Sequence, residues 1–373
     1  MKESGRGTGK GTVLHVAAGR EWRGGERQVL LLLEALAQRG LPQALVTARG
    51  SELARRVREA GVDTVEVSWS AGLDPRAWWA LRGLVRRARP FLIHAHDGHA
   101  LRLASWVSGR GNAGRNSRPR PLVATRRVTF PIKHPGAWRQ LTAVIAISDA
   151  VRVSLMEAGL DPARVQVVPS AISLARVSQV TQAEIRTAFG WAPEVPVALN
   201  VAALTAEKGH TLLLDAATLL RDRRPALRWL IAGDGPLRAP LEAEVARRGL
   251  QNVVRLAGHV REVERWIRAA TVLVSSSAAE GFGSTLLDAL ALGTPVVATA
   301  VGGVPEVLAR EAGRLVPPGD AAALAAAVDD LLSNSSAVSE QVARGREAVR
   351  RFDINPVAER TLEVYRSVGL EVG

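Results

Sequence analysis

The stretch Ala279-Glu280-Gly281-Phe282-Gly283-Ser284-Thr285-Leu286-Leu287-Asp288 holds the residue types best suited to chemistry. A predicted strand at 272–275 delivers a carboxylate and then two glycines, and a helix is predicted from about residue 284. The N–H groups of Gly283, Ser284 and Thr285 would head that helix without partners, a geometry that binds phosphate without a metal. Glu280 and Asp288 are eight residues apart, so both can face one polyhydroxylated ligand, each accepting from a different sugar.

Other groups sit at similar strand-to-helix junctions. Glu207-Lys208-Gly209-His210 places a lysine where it can neutralise a diphosphate. Gly24-Gly25-Glu26 lets backbone N–H groups approach a phosphate, or makes a tight turn. Gly233-Asp234-Gly235-Pro236 and Gly302-Gly303-Val304-Pro305-Glu306 repeat the loop-to-helix theme. His94-Ala95-His96-Asp97-Gly98-His99 ends a strand predicted at 91–95 and resembles metal ligands, but its Asp falls one place early for a binuclear zinc hydrolase. The Gly- and Lys-containing 7–12 stretch lacks the Gly-Lys-Ser/Thr order of a phosphate loop and reads as a tail.

These junctions need a framework of alternating strands and helices. Short β-branched runs do alternate with amphipathic stretches, and the rhythm restarts near residue 196. That predicts an α/β chain of two doubly wound, Rossmann-like domains facing a central cleft, with ligands at the carboxyl ends of the strands. The boundaries expected are 1–175 and 176–354, with a polar linker at 170–182. A length of 373 residues suits two domains, and 47% apolar with 23% charged residues excludes a disordered chain. No Cys is present, which excludes a disulfide framework or a thiolate metal site. No signal peptide or spanning segment is read. Residues 1–178 carry a net +15 and residues 179–373 a net −2, which suggests an anionic partner on one side only. With 4% aromatics and no stacking motif, nucleic acid is not the expected partner.

The ordered set of motifs, spanning nearly the whole chain, resembles the family-4 retaining glycosyltransferases of GT-B fold. Ile147-Ser148 and Thr294-Pro295-Val296-Val297-Ala298-Thr299 belong to the same set. The resemblance implies that Glu280 binds hydroxyls of the donor sugar. Backbone N–H groups from Gly281 through Phe282, Gly283, Ser284, Thr285 and Leu286 would hold the sugar and diphosphate, and Asp288 the nucleotide ribose. Lys208 would pair with the diphosphate, joined by the amides of Gly24 and Gly25. His96 matches a histidine near the anomeric centre. The donor implied is a nucleoside-diphosphate sugar, UDP- or GDP-linked, with no cofactor and no metal, and the resemblance also implies that helix 355–373 packs back on the first domain.

Three places depart from the family pattern. Asp288 stands where Glu is usual and is one methylene shorter. Val201-Ala202-Ala203-Leu204 stands for Gly-Arg-Leu, so an arginine beside Lys208 is missing. Val168-Pro169-Ser170-Ala171-Ile172-Ser173 replaces Pro-Asn-Gly-x-Asp.

No carboxylate nucleophile is placed by a motif, so a front-face mechanism is expected, with the leaving diphosphate taking the acceptor proton. The Asp-x-Asp metal motif is absent, and Asp329-Asp330 reads as solvated. The +15 half favours an anionic or lipid-linked acceptor in cell-envelope synthesis. A cytoplasmic chain, peripheral on the inner face of the plasma membrane, follows from that. Arg126 and Arg127 could read an acceptor phosphate bidentately. The arginine-rich 110–120 loop could touch a membrane surface, and Trp78-Trp79 reads as packing rather than insertion. The alternatives are a GT-B nucleotide-sugar epimerase and a zinc hydrolase using the His94–His99 cluster.

Overall fold

The computed structural model describes residues 11–69, 74–108, 120–132 and 135–371. The 7–12 stretch, the 110–120 loop and His134 fall wholly or mostly outside the described residues. The chain divides into two units, one of residues 1–171 with 354–373 and the other of residues 172–353.

The first unit runs β1 (Val13–Ala17), α1 (Gly24–Gln38), β2 (Gln43–Ala48), α2 (Glu52–Glu59), β3 (Asp63–Val67) and α3 (Pro75–Ala88). It continues β4 (Leu92–Ala95), α4 (Gly98–Val107), β5 (Leu122–Arg126), α5 (Gly136–Arg139), β6 (Ala143–Ala146), α6 (Asp149–Glu157) and β7 (Val165–Val167). The strands form a parallel sheet in the order β3-β2-β1-β4-β5-β6-β7. The order reverses between β1 and β4, the switch point where such sheets bind ligands. Right-handed crossovers put α1 and α2 on one face and α3 and α4 on the other, because the two pairs step across the sheet in opposite directions.

The second unit begins with α7 (Leu174–Val177) and α8 (Ile185–Ala188). It proceeds through β8 (Val197–Val201), a 3-10 turn (Ala206–Lys208), α9 (His210–Leu220), β9 (Arg228–Ala232), α10 (Arg238–Arg247), β10 (Val254–Gly258) and α11 (Val263–Ala269). Then come β11 (Val272–Ser275), α12 (Ser284–Leu292), β12 (Val296–Thr299), α13 (Val304–Val307), β13 (Arg314–Val316), α14 (Ala321–Ser333) and α15 (Ser335–Val349). Its parallel sheet has the order β10-β9-β8-β11-β12-β13. The fold is therefore α/β with two Rossmann-like units.

Stretch 170–182, expected as a linker, is partly structured. Ile172 bridges Asp353, and the Leu174 N–H donates to the Asp353 carboxylate at 3.1 Å, so this polar stretch finds its partners at the far end of the unit. The last helix, α16 (Ile354–Ser367), belongs to the first unit. It buries Val357, Leu362, Val364 and Tyr365 in a core shared with Leu32 and Leu36 of α1. No described helix is long and apolar enough to cross a membrane.

Candidate active site

In the second unit, Lys208 and Glu280 meet. Nζ lies 2.6 Å from the carboxylate, with both side chains about four-fifths buried. Backbone hydrogen bonds, one serine hydroxyl and two close glycine approaches hold them there. The N–H groups of Ala278 and Ala279 donate to the Glu207 carbonyl at 2.8 and 3.2 Å, and Ser276 Oγ donates to the Lys208 carbonyl at 3.1 Å. Gly209, at φ +61°, passes so close to the Ser276 carbonyl that a Cβ would sit 2.0 Å from its oxygen. Gly302, at φ +51°, does the same against the Glu280 carbonyl, at 1.7 Å. These glycines serve close approach as well as turning.

Immediately after Glu280, Gly283 takes the left-handed conformation at φ +86° and starts α12 with no side-chain cap. The first-turn N–H groups of Ser284 and Thr285 have no intrahelical acceptors, by the geometry of any helix start. The Leu286 N–H instead closes a tight turn onto the Gly283 carbonyl at 2.9 Å. Gly281 and Phe282 are buried, and Phe282 packs edge-on against Phe352 at 5.4 Å. Asp288, expected to face a ligand, is buried, at 1% exposure. His210 is buried beside Lys208 with both ring nitrogens unpartnered. Burial lowers its pKa to about 4, and Lys208 adds to the shift.

The stretch that lacks the family's arginine is pinned by its backbone. The Leu204 N–H donates to the Asp234 carbonyl at 3.0 Å, and Gly233 crosses the Ala202 carbonyl where a Cβ would be 1.8 Å away. Asp329, read as solvated, is instead largely buried and paired with Arg223 and Arg224 at 2.5 Å each, whereas Asp330 is half exposed, as read, and pairs with Arg314 at 2.9 Å. Packing of the 221–224 turn against α14 decides the Asp329 pairs, and sequence spacing does not show them.

In the first unit, the loops after β1, β4 and β5 gather a second polar group. Asp97 accepts from the Ala18 N–H at 2.7 Å and from the His99 and Ala100 N–H groups at 2.9 and 2.8 Å, so it both caps α4 and ties down the loop before α1. Gly24 and Gly25 open α1, and Glu26 accepts from the Arg23 N–H at 3.2 Å. A Cβ on Gly19 would collide with the Glu26 carboxylate. Burial raises the Glu26 pKa. Arg127 lies beside Gly25, with Nε buried and unpartnered. Burial lowers its pKa to about 10, against the opposing pull of Glu26 and Asp97. Arg126 is turned away, donating to the Val128 and Phe130 carbonyls. The two arginines therefore do not form the bidentate pair expected.

His96 is 3% exposed, not an open group at the strand end. Its Nε2 shares a 2.9 Å hydrogen bond with Nδ1 of His15, stacked at 5.2 Å, and its Nδ1 is buried without a partner. His94 bridges the Tyr365 hydroxyl at 2.7 Å and Thr125 Oγ1 at 2.8 Å. Burial pushes all three imidazole pKa values well down, so the cluster is neutral. A cavity of about 30 Å³ lies against His94, Thr125 and Arg127, room for a water molecule or two.

Sequence reasoning missed His15 and Tyr365. His15 looks like an ordinary strand residue, and only its register opposite His94 brings it into the cluster. The three imidazoles are close enough to share an ion. Yet both nitrogens of His94 already have partners, and among the described residues no carboxylate joins the three to offset a buried dication. Asp97 is committed to backbone N–H groups and His99 lies exposed on α4, so the six-residue cluster does not converge as a zinc hydrolase would require.

With this geometry in place, comparison with known proteins is decisive. Residues 181–350 match the family described as "Glycosyl transferases group 1", and residues 22–176 match "Glycosyltransferase Family 4". A phosphatidyl-myo-inositol mannosyltransferase of Mycobacterium leprae is 30% identical over 74% of this chain and 73% of its own length. The chain is a family-4, group 1 glycosyltransferase. An alpha-D-kanosaminyltransferase of Streptomyces kanamyceticus is 25% identical over 92% of this chain and 99% of the relative. Anabaena Alr3699/HepE, solved with UDP and glucose, superposes with a TM-score of 0.82 at 18% identity, covering 96% of this chain and all of the other. That likeness makes the fold of this glycosyltransferase GT-B.

Proposed function

We propose that this glycosyltransferase moves a sugar from a nucleoside-diphosphate sugar to an acceptor hydroxyl with retention at the anomeric carbon. The observation that carries the proposal is the buried Lys208–Glu280 pair beside the uncapped start of α12. In the free chain the two side chains neutralise each other. A donor would separate their roles. The ammonium would turn to the diphosphate, and the carboxylate would accept from sugar hydroxyls. Ser284 and Thr285 would offer N–H groups to phosphate oxygens. Asp288, buried in the free chain, would reach the nucleotide ribose through a shift of α12 or a bridging water.

In the transfer, the bond from the anomeric carbon to the diphosphate oxygen breaks. The acceptor oxygen bonds to that carbon on the same face, and its proton passes to the departing diphosphate. Nothing is oxidised or reduced. Lys208 and the helix amides supply the positive charge that a metal supplies elsewhere, which supports metal independence. UDP is the favoured nucleotide, since the Anabaena relative was solved with it. The +15 half and the lipid named for the mannosyltransferase relative support an anionic or lipid-linked acceptor and an envelope role in the cytoplasm. No observation on this chain favours the epimerase reading.

A thermal-shift panel of UDP, GDP, ADP and their sugars, with and without EDTA, tests this. One nucleotide should stabilise the chain by roughly 2.7 kcal/mol at a hundredfold excess over its Kd, unchanged by EDTA. Glu280→Ala and Lys208→Ala should abolish that shift and lower kcat/KM by roughly 10²–10³. Proton NMR of the product should show the donor's anomeric configuration. No shift with any nucleotide, or an inverted product, would overturn the reading.

A further inference from the structure

The face of the first unit formed by α3 and α4 carries an unusual pairing of groups. α3 buries Ala77, Leu81 and Val85 along one stripe. At helical spacing the opposite stripe carries Arg76, Trp79, Arg86 and Arg87. Trp79 is 65% exposed, and only Trp78 packs, half-buried, with its ring edge-on to Trp79 at 4.8 Å. The helix has no acidic residue. Among the described residues, none of these three arginines forms an ion pair. The neighbouring α4 is buried along most of its length but turns Arg102 and Trp106 outward one turn apart, with Trp106 55% exposed. The right-handed crossovers set both helices on the same face of the sheet, and the two pack against each other.

From this we propose that the outward face of α3 and α4 docks on an anionic lipid surface, with Trp79 and Trp106 at the headgroup level and Arg76, Arg86, Arg87 and Arg102 on lipid phosphates. Indoles favour the membrane–water interface, and guanidiniums favour the phosphates of anionic headgroups. The charge is complementary to an acidic leaflet and attracts the chain before the indoles insert. A second copy of the chain fits poorly, since a two-fold contact would set arginine against arginine. Nucleic acid fits poorly as well, since the residues lie on outward helix faces and not in a groove that tracks a strand.

The test is vesicle co-sedimentation of the full chain. Phosphatidylcholine vesicles are compared with vesicles containing phosphatidylglycerol, at low and high salt. Binding is expected only to the anionic vesicles, weakened by salt. Trp79→Ala/Trp106→Ala should weaken it at least tenfold, with the melting temperature and the nucleotide-induced shift unchanged. Brominated lipid should quench wild-type fluorescence more than that of Trp79→Phe/Trp106→Phe. No anionic-vesicle binding, or binding indifferent to the two tryptophans, overturns the proposal. So does an RNA complex or a dimer that depends on these tryptophans when vesicles are not bound. Because no donor enters the vesicle assay, its failure is separate from failure of the transferase reading.

Discussion

Glu280 owes its position to a neighbour with no side chain. Gly302 lets the loop after β12 pass over the Glu280 carbonyl, and its 3.4 Å neighbour contact from the Gly303 N–H completes the clamp. Gly302→Ala adds both left-handed strain and a collision with backbone, so it should cost roughly 2–4 kcal/mol and raise the donor KM. Gly319→Ala is the control. It has φ +79° but open space around it, and should cost only about 1–2 kcal/mol with KM unchanged. Urea melts and donor titrations check both. The imidazoles make a second residue-level prediction. His15, with a folded pKa of about 3, His210, at about 4, and His94 and His96, held well below the usual imidazole range by burial, are neutral when folded. Unfolded, they take up protons near pH 6.5, so the unfolded chain binds more protons below that value. Stability should be full above about pH 6.5 and fall as pH drops toward the folded values. The loss is roughly 1.4 kcal/mol per pH unit for each imidazole, read from urea midpoints at several pH values.

At the scale of elements, α16 is tied to the sheet by chemistry as well as packing. Tyr365, the chain's only tyrosine, reaches from α16 to His94 on β4. Tyr365→Phe keeps the ring and strands one imidazole nitrogen, so it should cost about 1–3 kcal/mol. A His94→Leu background should remove most of that cost in a double-mutant cycle. The strand and helix rhythm was legible from the alternation of β-branched runs and amphipathic stretches. Short pieces were not. The three-residue β13 and the four-residue α7 and α8 carry too few residues to show a period, whereas the equally short α13 is announced by the Gly302-Gly303 turn and Pro305, and α7 is held by Asp353, 179 positions away from Leu174.

For the whole molecule, the chain's return matters most. Residues 354–373 belong to the first unit, and α16 supplies Val357, Leu362, Val364 and Tyr365 to its core. Each such side chain is worth about 1.5–3 kcal/mol of burial, so losing four approaches the whole stability of a domain. Truncation after Asp353 should therefore melt the first unit while the second keeps its own transition, visible as a lost calorimetric peak. The basic charge also divides at this scale, +15 before residue 179 and −2 after it.

The sequence by itself determined the two α/β units and the order of the loop motifs. It also determined which types of group, Lys208, Glu280 and the Gly283–Thr285 helix start, would stand at strand ends. These follow from local periodicity and from glycines that mark turns, both written over a few adjacent residues. Only the tertiary structure decided that Lys208 and Glu280 form an ion pair, that Asp288 is buried, and that His96 is enclosed by His15. It also decided that Trp79 stands in solvent while Trp78 packs. Each of these depends on register and packing between residues far apart in the chain, and a residue's type does not reveal which distant neighbour will cover it.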